Sequence, residues 1–233
     1  MEERIRVENL EKEVDKNVVF EKLNFSLQAG RIVGLLGKNG SGKSTLLQLI
    51  TGYLYPTDGE VTVDRASISY LLEADDFYRW MTVKDTLEYY EVNFQDFDRV
   101  RAEHLIKEAG IDTSQKMKKL SSGMQDKVCF ILAISRRVKL YLFDEPLSGS
   151  DSSFKSEIKK ILLENIPEDA TVVIATHLLK DFETLFDEVL ILTDDRLEQI
   201  ETERIREEYK MSVEEYVGIV TRFEAKSVGG KNA

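Results

Sequence analysis

The chain has 233 residues, of which 42% are hydrophobic and 32% are charged, and its formal net charge is −11. This length and composition suit one or two globular domains and exclude a disordered or fibrous chain. The acidic balance argues against a general nucleic-acid binder, because such a protein needs an excess of Lys and Arg to displace the counterions of phosphates.

Membrane-spanning and secretory features are missing from the sequence. The nearest apolar run, Val128–Ile134, falls well short of the roughly 18–20 residues that cross a bilayer, and it indicates buried core instead. The N-terminus carries acidic residues where a signal peptide would carry basic ones. The single cysteine, Cys129, cannot form an internal disulfide. We therefore expect a cytoplasmic chain that reaches a membrane only through a partner.

The first third of the chain alternates short β-rich runs with turns. The pattern predicts strands at Arg4–Asn9, Leu23–Leu27, Arg31–Leu36 and Glu60–Asp64, a hairpin turn over Glu11–Asn17 and a helix over Ser44–Gly52. The strand Arg31–Leu36 is apolar on both faces, as buried strands of parallel sheets are. Gly52 is placed to end the helix.

The middle of the chain, from about Thr82 to Arg137, is typical of helices. Apolar residues at helical spacing predict one helix through Val83, Leu87, Tyr90 and Phe94, and a second through Leu105, Ile106 and Ala109 that ends at Gly110. Strands are then predicted at Leu140–Phe143, Thr171–Ala175 and Val189–Leu192, with a helical face made by Phe154, Ile158, Ile161 and Leu162. This order predicts an α/β fold with a parallel-sheet core and a helical insertion at about 74–138, in one domain over 1–225 followed by a flexible tail over 226–233.

A phosphate-binding loop is predicted between the strand Arg31–Leu36 and the helix that follows it. Its residues fit G-x-x-x-x-G-K-[ST] and are Gly37, Lys38, Asn39, Gly40, Ser41, Gly42, Lys43 and Ser44, followed by Thr45. Its glycines let successive N–H groups face phosphate oxygens, and the helix N-terminus adds positive charge. Lys43 would contact the β- and γ-phosphates and Ser44 would ligate Mg²⁺. The alternative is a glycine-rich turn without a ligand, which the strand–loop–helix context disfavours.

Two acidic residues follow the predicted strand Leu140–Phe143. Asp144 would hold Mg²⁺, and Glu145 would accept a proton from the attacking water. A strand that ends in an acidic turn is common, so alone these residues fit that turn and a metal site equally well. Beside a phosphate loop they predict the second half of a nucleotide site.

These two motifs and the segment Leu120–Met124 (LSSGM) together resemble the nucleotide-binding subunit of ABC transporters, whose signature is usually LSGGQ. The similarity runs from about Ile5 to about Ile200, and the N-K-x-D motif of GTPases does not occur. The resemblance implies a P-loop NTPase core with a mostly parallel sheet, an N-terminal antiparallel β subdomain and an inserted helical subdomain. Asp151 matches the family's D-loop, and His177 matches its switch histidine, which contacts the γ-phosphate and holds the attacking water.

The resemblance also implies a mechanism and partners. Two such subunits, identical or different, meet head to tail and bind two ATP molecules with Mg²⁺. The signature residues Ser121, Ser122 and Gly123 of one copy would then face the nucleotide of the other. The pair would work at the inner face of the membrane on a separate membrane-spanning subunit, and the run Thr82–Tyr90 is most similar to exporters. Taken alone, LSSGM has the alternative interpretation of a serine pair that caps a core helix, and its position between the other two motifs disfavours that alternative.

Some positions depart from the family pattern. Glu73 stands at the usual Q-loop glutamine, where its carboxylate could still reach Mg²⁺, and Val14 stands where an aromatic residue usually stacks on adenine. Ser122 and Met124 replace a glycine and a glutamine of the signature. Two alternatives therefore stay open, a regulatory module that binds ATP without turnover and a soluble ABC ATPase that acts on DNA or ribosomes. The acidic balance, the single set of motifs and the lack of a long heptad segment disfavour the latter.

An aromatic cluster, Phe77–Met81, follows Glu73. In the family the corresponding groove receives a helix of the membrane subunit. We therefore expect either a docking surface, since aromatic residues and Met are enriched in interfaces, or packing inside the helical subdomain.

Overall fold

A computed structural model describes residues 2–71, 80–145, 152–177, 179–193 and 196–228. In chain order its strands are β1 (Glu3–Val14), β2 (Asn17–Gln28), β3 (Ile32–Leu36), β4 (Asp58–Val63), β5 (Ile68–Tyr70), β6 (Leu140–Asp144), β7 (Thr171–Ala175), β8 (Glu188–Leu192) and β9 (Leu197–Glu201). Its α-helices are α1 (Lys43–Thr51), α2 (Val83–Asn93), α3 (Arg99–Glu108), α4 (Ser122–Ile134), α5 (Ser152–Asn165), α6 (Leu179–Phe182), α7 (Thr202–Glu208) and α8 (Val213–Val228).

The strands form two sheets. A three-stranded antiparallel sheet has the order β2-β1-β4, and a six-stranded sheet has the order β5-β6-β7-β3-β8-β9. The second sheet is parallel except for β9, which pairs antiparallel with β8. The predicted combination of a mostly parallel core, an N-terminal antiparallel unit and inserted helices is confirmed.

The larger sheet is covered on both faces, and its inner strands β3, β6, β7 and β8 are mostly apolar. Along β7, Val172 and Ile174 pack into the larger of two hydrophobic clusters, while Val173 and Ala175 pack into the smaller. The smaller cluster also holds helix α1 and the antiparallel sheet, and the larger holds the helical insertion and the C-terminal helices. The run Val128–Ile134, expected to be core, is fully buried within α4.

The helical insertion follows the predicted apolar pattern. Thr82 and Asp85 form a capping box that starts α2, and Val83, Leu87 and Tyr90 are buried along it. Helix α3 ends at Glu108, just before Gly110, and Gly52 caps α1 with a φ of +83° as expected. Among the described helices, none has the length and hydropathy needed to cross a membrane.

The N-terminal hairpin differs from the prediction. The segment Glu11–Asn17 was expected to be a turn, but β1 continues to Val14, and the turn contains only Asp15 and Lys16. Both turn residues have positive φ, +50° and +67°, as tight hairpin turns require. The residues of this segment are mostly polar and exposed, so the sequence pattern did not indicate a strand. Because β1 is longer than predicted, Val14 lies at the hairpin tip.

The C-terminal elements β9, α7 and α8 were not predicted. The described part of α8 buries Val213, Tyr216, Val217 and Val220, an i, i+3, i+4, i+7 pattern that the sequence contains. In β9 the alternation is weak, because only Ile200 is buried. Residues 229–233, in the predicted tail, lie outside the described residues.

Candidate functional site

The predicted phosphate loop joins the central strand β3 to helix α1. Because β3 lies between β7 and β8, the loop starts at the carboxyl end of a buried strand. Gly42, just before the helix, has a φ of +95°, a left-handed conformation that favours glycine. A Cβ atom on Gly42 would also lie 2.7 Å from the ring of Phe20. Only glycine therefore lets the loop pack this closely against β2.

The side chain of Lys43 lies inside this loop. Its Nζ donates to the carbonyl oxygens of Gly37 and Lys38, at 3.0 Å each, and the residue is only 6% exposed. The hydroxyl of Ser41 is buried and has no hydrogen-bond partner among the described residues. A buried ammonium group beside an unpartnered hydroxyl and a helix N-terminus makes the loop suited to an anion.

Asp144 ends strand β6 and lies next to Ser44. Burial raises the pKa of Asp144 above its ordinary value; the Ser44 hydrogen bond lowers it, the charge of Glu145 raises it and that of Lys43 lowers it. One carboxylate oxygen of Asp144, Oδ1, is buried without a hydrogen-bond partner among the described residues. An unpartnered carboxylate oxygen next to a hydroxyl fits Mg²⁺, which prefers oxygen ligands.

A protein cage for a metal ion is not found among the described residues, where no three His, Cys, Asp or Glu side chains are grouped suitably. This agrees with how Mg²⁺ binds in nucleotide sites, through one or two protein oxygens, the substrate phosphates and water.

Glu145 and His177 meet at the carboxyl edge of the sheet. Glu145 has a φ of +44°, a left-handed conformation that costs an L-residue roughly 1–2 kcal/mol. Its N–H donates to the carbonyl of Ala175 at 2.9 Å, and its Oε2 lies 2.9 Å from Nδ1 of His177. Both side chains keep access to solvent, at 26% and 46% exposure. Backbone strain at an accessible acid is a signal of function, and ligands of α/β folds bind at this edge.

A cavity of about 410 Å³ lies between the phosphate loop, the end of β6 and the N-terminal hairpin. Its described lining consists of Val14, Val19, Asn39, Gly40, Gly42, Lys43, Ser44, Thr45, Asp144 and Glu145. The structure therefore brings most of the predicted loop residues together with both predicted acids, and His177 joins them through Glu145. The volume falls within the range of ordinary small-molecule sites.

The segment LSSGM lies elsewhere. Ser121 is the N-cap of α4, and its hydroxyl accepts from the N–H of Met124 at 3.3 Å, so its capping role is confirmed. Ser121 and Ser122 are exposed, and a Cβ atom on Gly123 would meet nothing within 4 Å. None of these three is among the described residues that line the cavity.

Comparison with known proteins gives the family. The model of the family described as "ABC transporter" matches residues 20–148, more than half of the chain. The chain belongs to the ABC transporter family. ATP-binding domains of this family are ATPases, so the chain binds and hydrolyses ATP.

Three curated ABC proteins illustrate the similarity. ABC transporter ATP-binding protein YtrB of Bacillus subtilis is 28% identical over 217 residues, covering 88% of this chain and 74% of its own length. An uncharacterized ABC transporter ATP-binding protein of Methanocaldococcus jannaschii is 33% identical, with coverage of 82% and 75%. The aliphatic sulfonates import ATP-binding protein SsuB 2 of Pseudomonas syringae is 30% identical, with coverage of 76% on both sides.

Solved ABC structures share the fold. An ATP-binding subunit of an ABC transporter superposes with a TM-score of 0.83 at 24% identity and covers 94% of this chain and 100% of its own. The cbiO1 protein from Clostridium perfringens, part of the ABC transporter complex cbiONQ, superposes with a TM-score of 0.73 at 26% identity, with coverage of 89% and 92%.

Two of the predicted site residues lie outside the described residues, and the structure shows two further residues near the predicted motifs that the sequence analysis did not name. Glu73 and Asp151 are not described, so their roles stay predictions. Sequence reasoning missed Val19 in the cavity lining, because no motif marks it. It also missed Gln125, whose Nε2 donates to the carbonyls of Met117 (2.9 Å) and Leu120 (3.2 Å) and fixes the turn before Ser121.

The buried charge of Asp144 predicts a stability effect. A carboxyl whose pKa is raised by folding destabilises the protein above that pKa, and the penalty disappears below the pKa of the unfolded chain. We therefore expect Asp144→Asn to raise the Tm of the nucleotide-free protein at pH 7, by roughly 2–4 °C per kcal/mol relieved. Thermal unfolding should show the Tm difference between Asp144→Asn and the wild type becoming smaller as the pH is lowered from 7 to about 4.5.

Asp112 provides the matched control. Hydrogen bonds from the N–H and hydroxyl of Ser114 lower the pKa of Asp112, so Asp112→Asn should have the opposite sign and lower the Tm at pH 7. A lower Tm for Asp144→Asn at pH 7 would contradict the account of Asp144.

Proposed function

We propose that the chain is the ATP-hydrolysing subunit of an ABC transporter and that it powers export through a separate membrane-spanning subunit. The observation that carries the catalytic part is the 2.9 Å contact between Glu145 and His177 at the edge of the cavity that holds Lys43 and Asp144. This contact supports the proposal that Glu145 is a proton acceptor beside the phosphate-binding loop.

The phosphate loop, Lys43, Ser44, Asp144 and Glu145 each have a role in this proposal. The loop N–H groups and Lys43 bind the β- and γ-phosphates, and Lys43 exchanges its two carbonyl partners for phosphate oxygens. Ser44 and Asp144 would hold Mg²⁺, which when bound supplies positive charge against the phosphates. Glu145 accepts the proton of the attacking water, and His177 holds the Glu145 carboxylate in place.

The signature segment supports a second copy in the active form. Ser121, Ser122 and Gly123 are accessible at the N-terminus of α4, yet they lie outside the cavity lining of their own chain. A helix N-terminus favours anions, and Gly123 leaves room for close approach. We propose that these residues complete the nucleotide site of a partner copy in a head-to-tail pair, with Asp151 near the contact.

The membrane subunit is proposed to bind a groove between the core and the helical insertion. A cavity of about 770 Å³ is formed there by Thr51, Tyr53, Arg65, Ala66, Ile68, Tyr70, Tyr89, Tyr90, Asn93, Phe94, Gln95, Asp96 and Arg136. Tyr53 and Tyr89 are 66% and 45% exposed. Exposed tyrosines are typical of interface anchors.

Of the predicted docking cluster, Met81 is buried in the core and Trp80 is exposed, while 77–79 lie outside the described residues.

At one end of this groove, a single side chain links the core to the helical insertion. Arg136, just after α4, makes two 2.7 Å hydrogen bonds to Asp96 of the insertion and one of 2.6 Å to the carbonyl of Ile68 in the core. Its guanidinium also lies 4.1 Å from the ring centre of Phe94. Since α4 carries Ser121 at its other end, a shift in the groove would reach the signature.

The membrane partnership is tested by capture of the full chain from membranes of its own organism. We expect a protein with several membrane spans, identified by mass spectrometry, to copurify with the wild type. Tyr53→Asp should reduce its yield about tenfold or more, since a buried interface tyrosine contributes roughly 2 kcal/mol. Tyr55→Asp is the matched control, because Tyr55 is 76% exposed but lies outside the described groove lining.

Capture of ribosomal or DNA-bound proteins instead of a membrane protein would contradict the proposal and favour a soluble ABC ATPase.

Export is the finer part of the proposal and is supported by the sequence Thr82–Tyr90, although one relative is named for import. The proposed location is the cytoplasmic face of the membrane, reached through the partner.

A further inference from the structure

Gln125 holds the backbone on both sides of Ser121, at the start of α4. Its side-chain Nε2 donates to the carbonyls of Met117 at 2.9 Å and of Leu120 at 3.2 Å, in the turn before Ser121. Its backbone N–H donates to the carbonyl of Ser121 itself at 2.9 Å, which closes the first turn of the helix. Met117 and Leu120 are both buried, so the turn that Gln125 binds is anchored in the core. The position of Ser121 is therefore fixed from both directions along the chain.

The hydroxyl of Ser121 restrains this backbone only weakly. It accepts from the N–H of Met124 at 3.3 Å, which is longer than the usual distance of about 2.9–3.0 Å. Ser121 and Ser122 are exposed, and Gly123 has no side chain, so these residues gain little from packing. The hydrogen bonds of Gln125 hold the same backbone without using the Ser121 side chain. The Ser121 hydroxyl can therefore donate to a ligand while the backbone stays in place.

Only a hydrogen-bond donor fits the position of the Gln125 amide. Both partners of Nε2 are carbonyl oxygens, which accept hydrogen bonds and cannot donate them. The two contacts are partly buried, so water would compensate only in part for their loss. Gln125 is not among the described residues that line the cavity of its own chain. We therefore expect any effect of Gln125 on hydrolysis to come through the residues that it holds.

We propose that Gln125 is a positioning residue for ATP hydrolysis and that it holds Ser121, Ser122 and Gly123 ready for the nucleotide of the partner copy. The inference rests on the proposed head-to-tail pair and deepens it by naming a residue that contacts no nucleotide but acts on the partner's site. Groups that are in place before the ligand arrives need less reorganisation, whereas a misplacement of about 1 Å can lower a rate about 100-fold. Loss of Gln125 should therefore affect turnover far more than binding of ATP to the chain's own phosphate loop.

Gln125→Met tests this role in the full chain. Methionine has a similar length and a high helix propensity, but it cannot donate to the two carbonyls. We expect kcat for ATP hydrolysis to fall about 10- to 100-fold. The Kd for MgATP, measured by displacement of a ribose-labelled fluorescent ATP at a chain concentration too low for pairing, should stay within about twofold of the wild type.

Gln125→Lys supplies N–H donors to the same carbonyls and should recover most of the rate that Gln125→Met loses. An unchanged kcat in Gln125→Met, or equal rates in these two variants, would overturn the inference.

Asn165→Leu is the control for a loss of fold stability. The Nδ2 of Asn165 donates to the carbonyl of Ile161 at 2.9 Å, and this contact is also partly buried. Asn165 ends α5 shortly before β7 begins, so it lies toward the amino edge of the sheet, opposite the cavity. Both substitutions remove an amide donor from a backbone carbonyl and should lower the Tm, but only Gln125→Met should lower kcat. Equal losses of kcat in both variants would leave Gln125 a structural role alone and overturn the inference.

Mixing variants shows on which site Gln125 acts. In a dimer of Gln125→Met with Lys43→Ala, one site combines the intact loop of the first chain with the intact signature of the second. Half of the dimers in an equimolar mixture are mixed and each has one intact site, so the mixture should reach about a quarter of the wild-type rate. A mixture of Gly123→Asp with Lys43→Ala is the reference. Recovery in the reference alone would overturn the inference, whereas no recovery in either mixture would overturn the head-to-tail pair itself, so the two failures are distinguishable.

Discussion

Glu145→Gln is expected to lower the steady-state rate of ATP hydrolysis by roughly 100- to 10,000-fold, the range that general-base catalysis contributes. Glutamine keeps the size of the side chain and can still hydrogen-bond His177, but it cannot take a proton from water. Because the left-handed backbone at Glu145 strains both residues alike, the substitution changes the chemistry more than the fold. The variant should therefore still bind ATP, with a Kd close to that of the wild type.

Glu164→Gln is the control for this experiment. Glu164 is exposed on α5, where it pairs with Lys160 at 3.9 Å, so the same chemical change far from the cavity should leave the rate unchanged. A wild type that hydrolyses ATP no faster than Glu145→Gln would remove the catalytic role of Glu145. It would favour a regulatory module that binds ATP without turnover.

The local parts of the site were predictable from the sequence. The loop Gly37–Ser44 and the acids Asp144 and Glu145 are marked by motifs in which strand, turn and helix follow one another along the chain. The contact between Glu145 and His177 was not derivable this way, because the residues are 32 positions apart and meet only since β6 and β7 are neighbours. The left-handed backbone of Glu145 likewise has no signal in the sequence.

The fold shows the same division between local and long-range information. Buried strands such as β3 and β7 are apolar on both faces and were predicted nearly to the residue. The end of β1 lies at the exposed tip of the hairpin and β9 is an edge strand, and in both places polar residues are compatible with strands as well as with turns. The misjudged end of β1 matters for function, because the longer hairpin is what places Val14 in the cavity.

Mixing two inactive variants should restore activity if the nucleotide sites are shared between copies. Lys43→Ala removes the buried ammonium of the phosphate loop, and Gly123→Asp places a carboxylate where the partner's γ-phosphate is proposed to lie. In a head-to-tail pair, a mixed dimer keeps one site with an intact loop and an intact signature. Random pairing makes half of the dimers mixed, so an equimolar mixture should reach about a quarter of the wild-type rate.

Sites contained within single chains would give no recovery in this mixture, which would contradict the shared arrangement. The outcome can be interpreted because Gly123→Asp has little reason to unfold the protein. A Cβ atom on Gly123 meets nothing within 4 Å, and an acid in the first turn of α4 is favoured by the helix dipole. Gly123→Ala adds the Cβ atom without the charge. Its mixture and its own homodimer should both retain more activity than Gly123→Asp, because repulsion between the carboxylate and the phosphate is the cause of the loss.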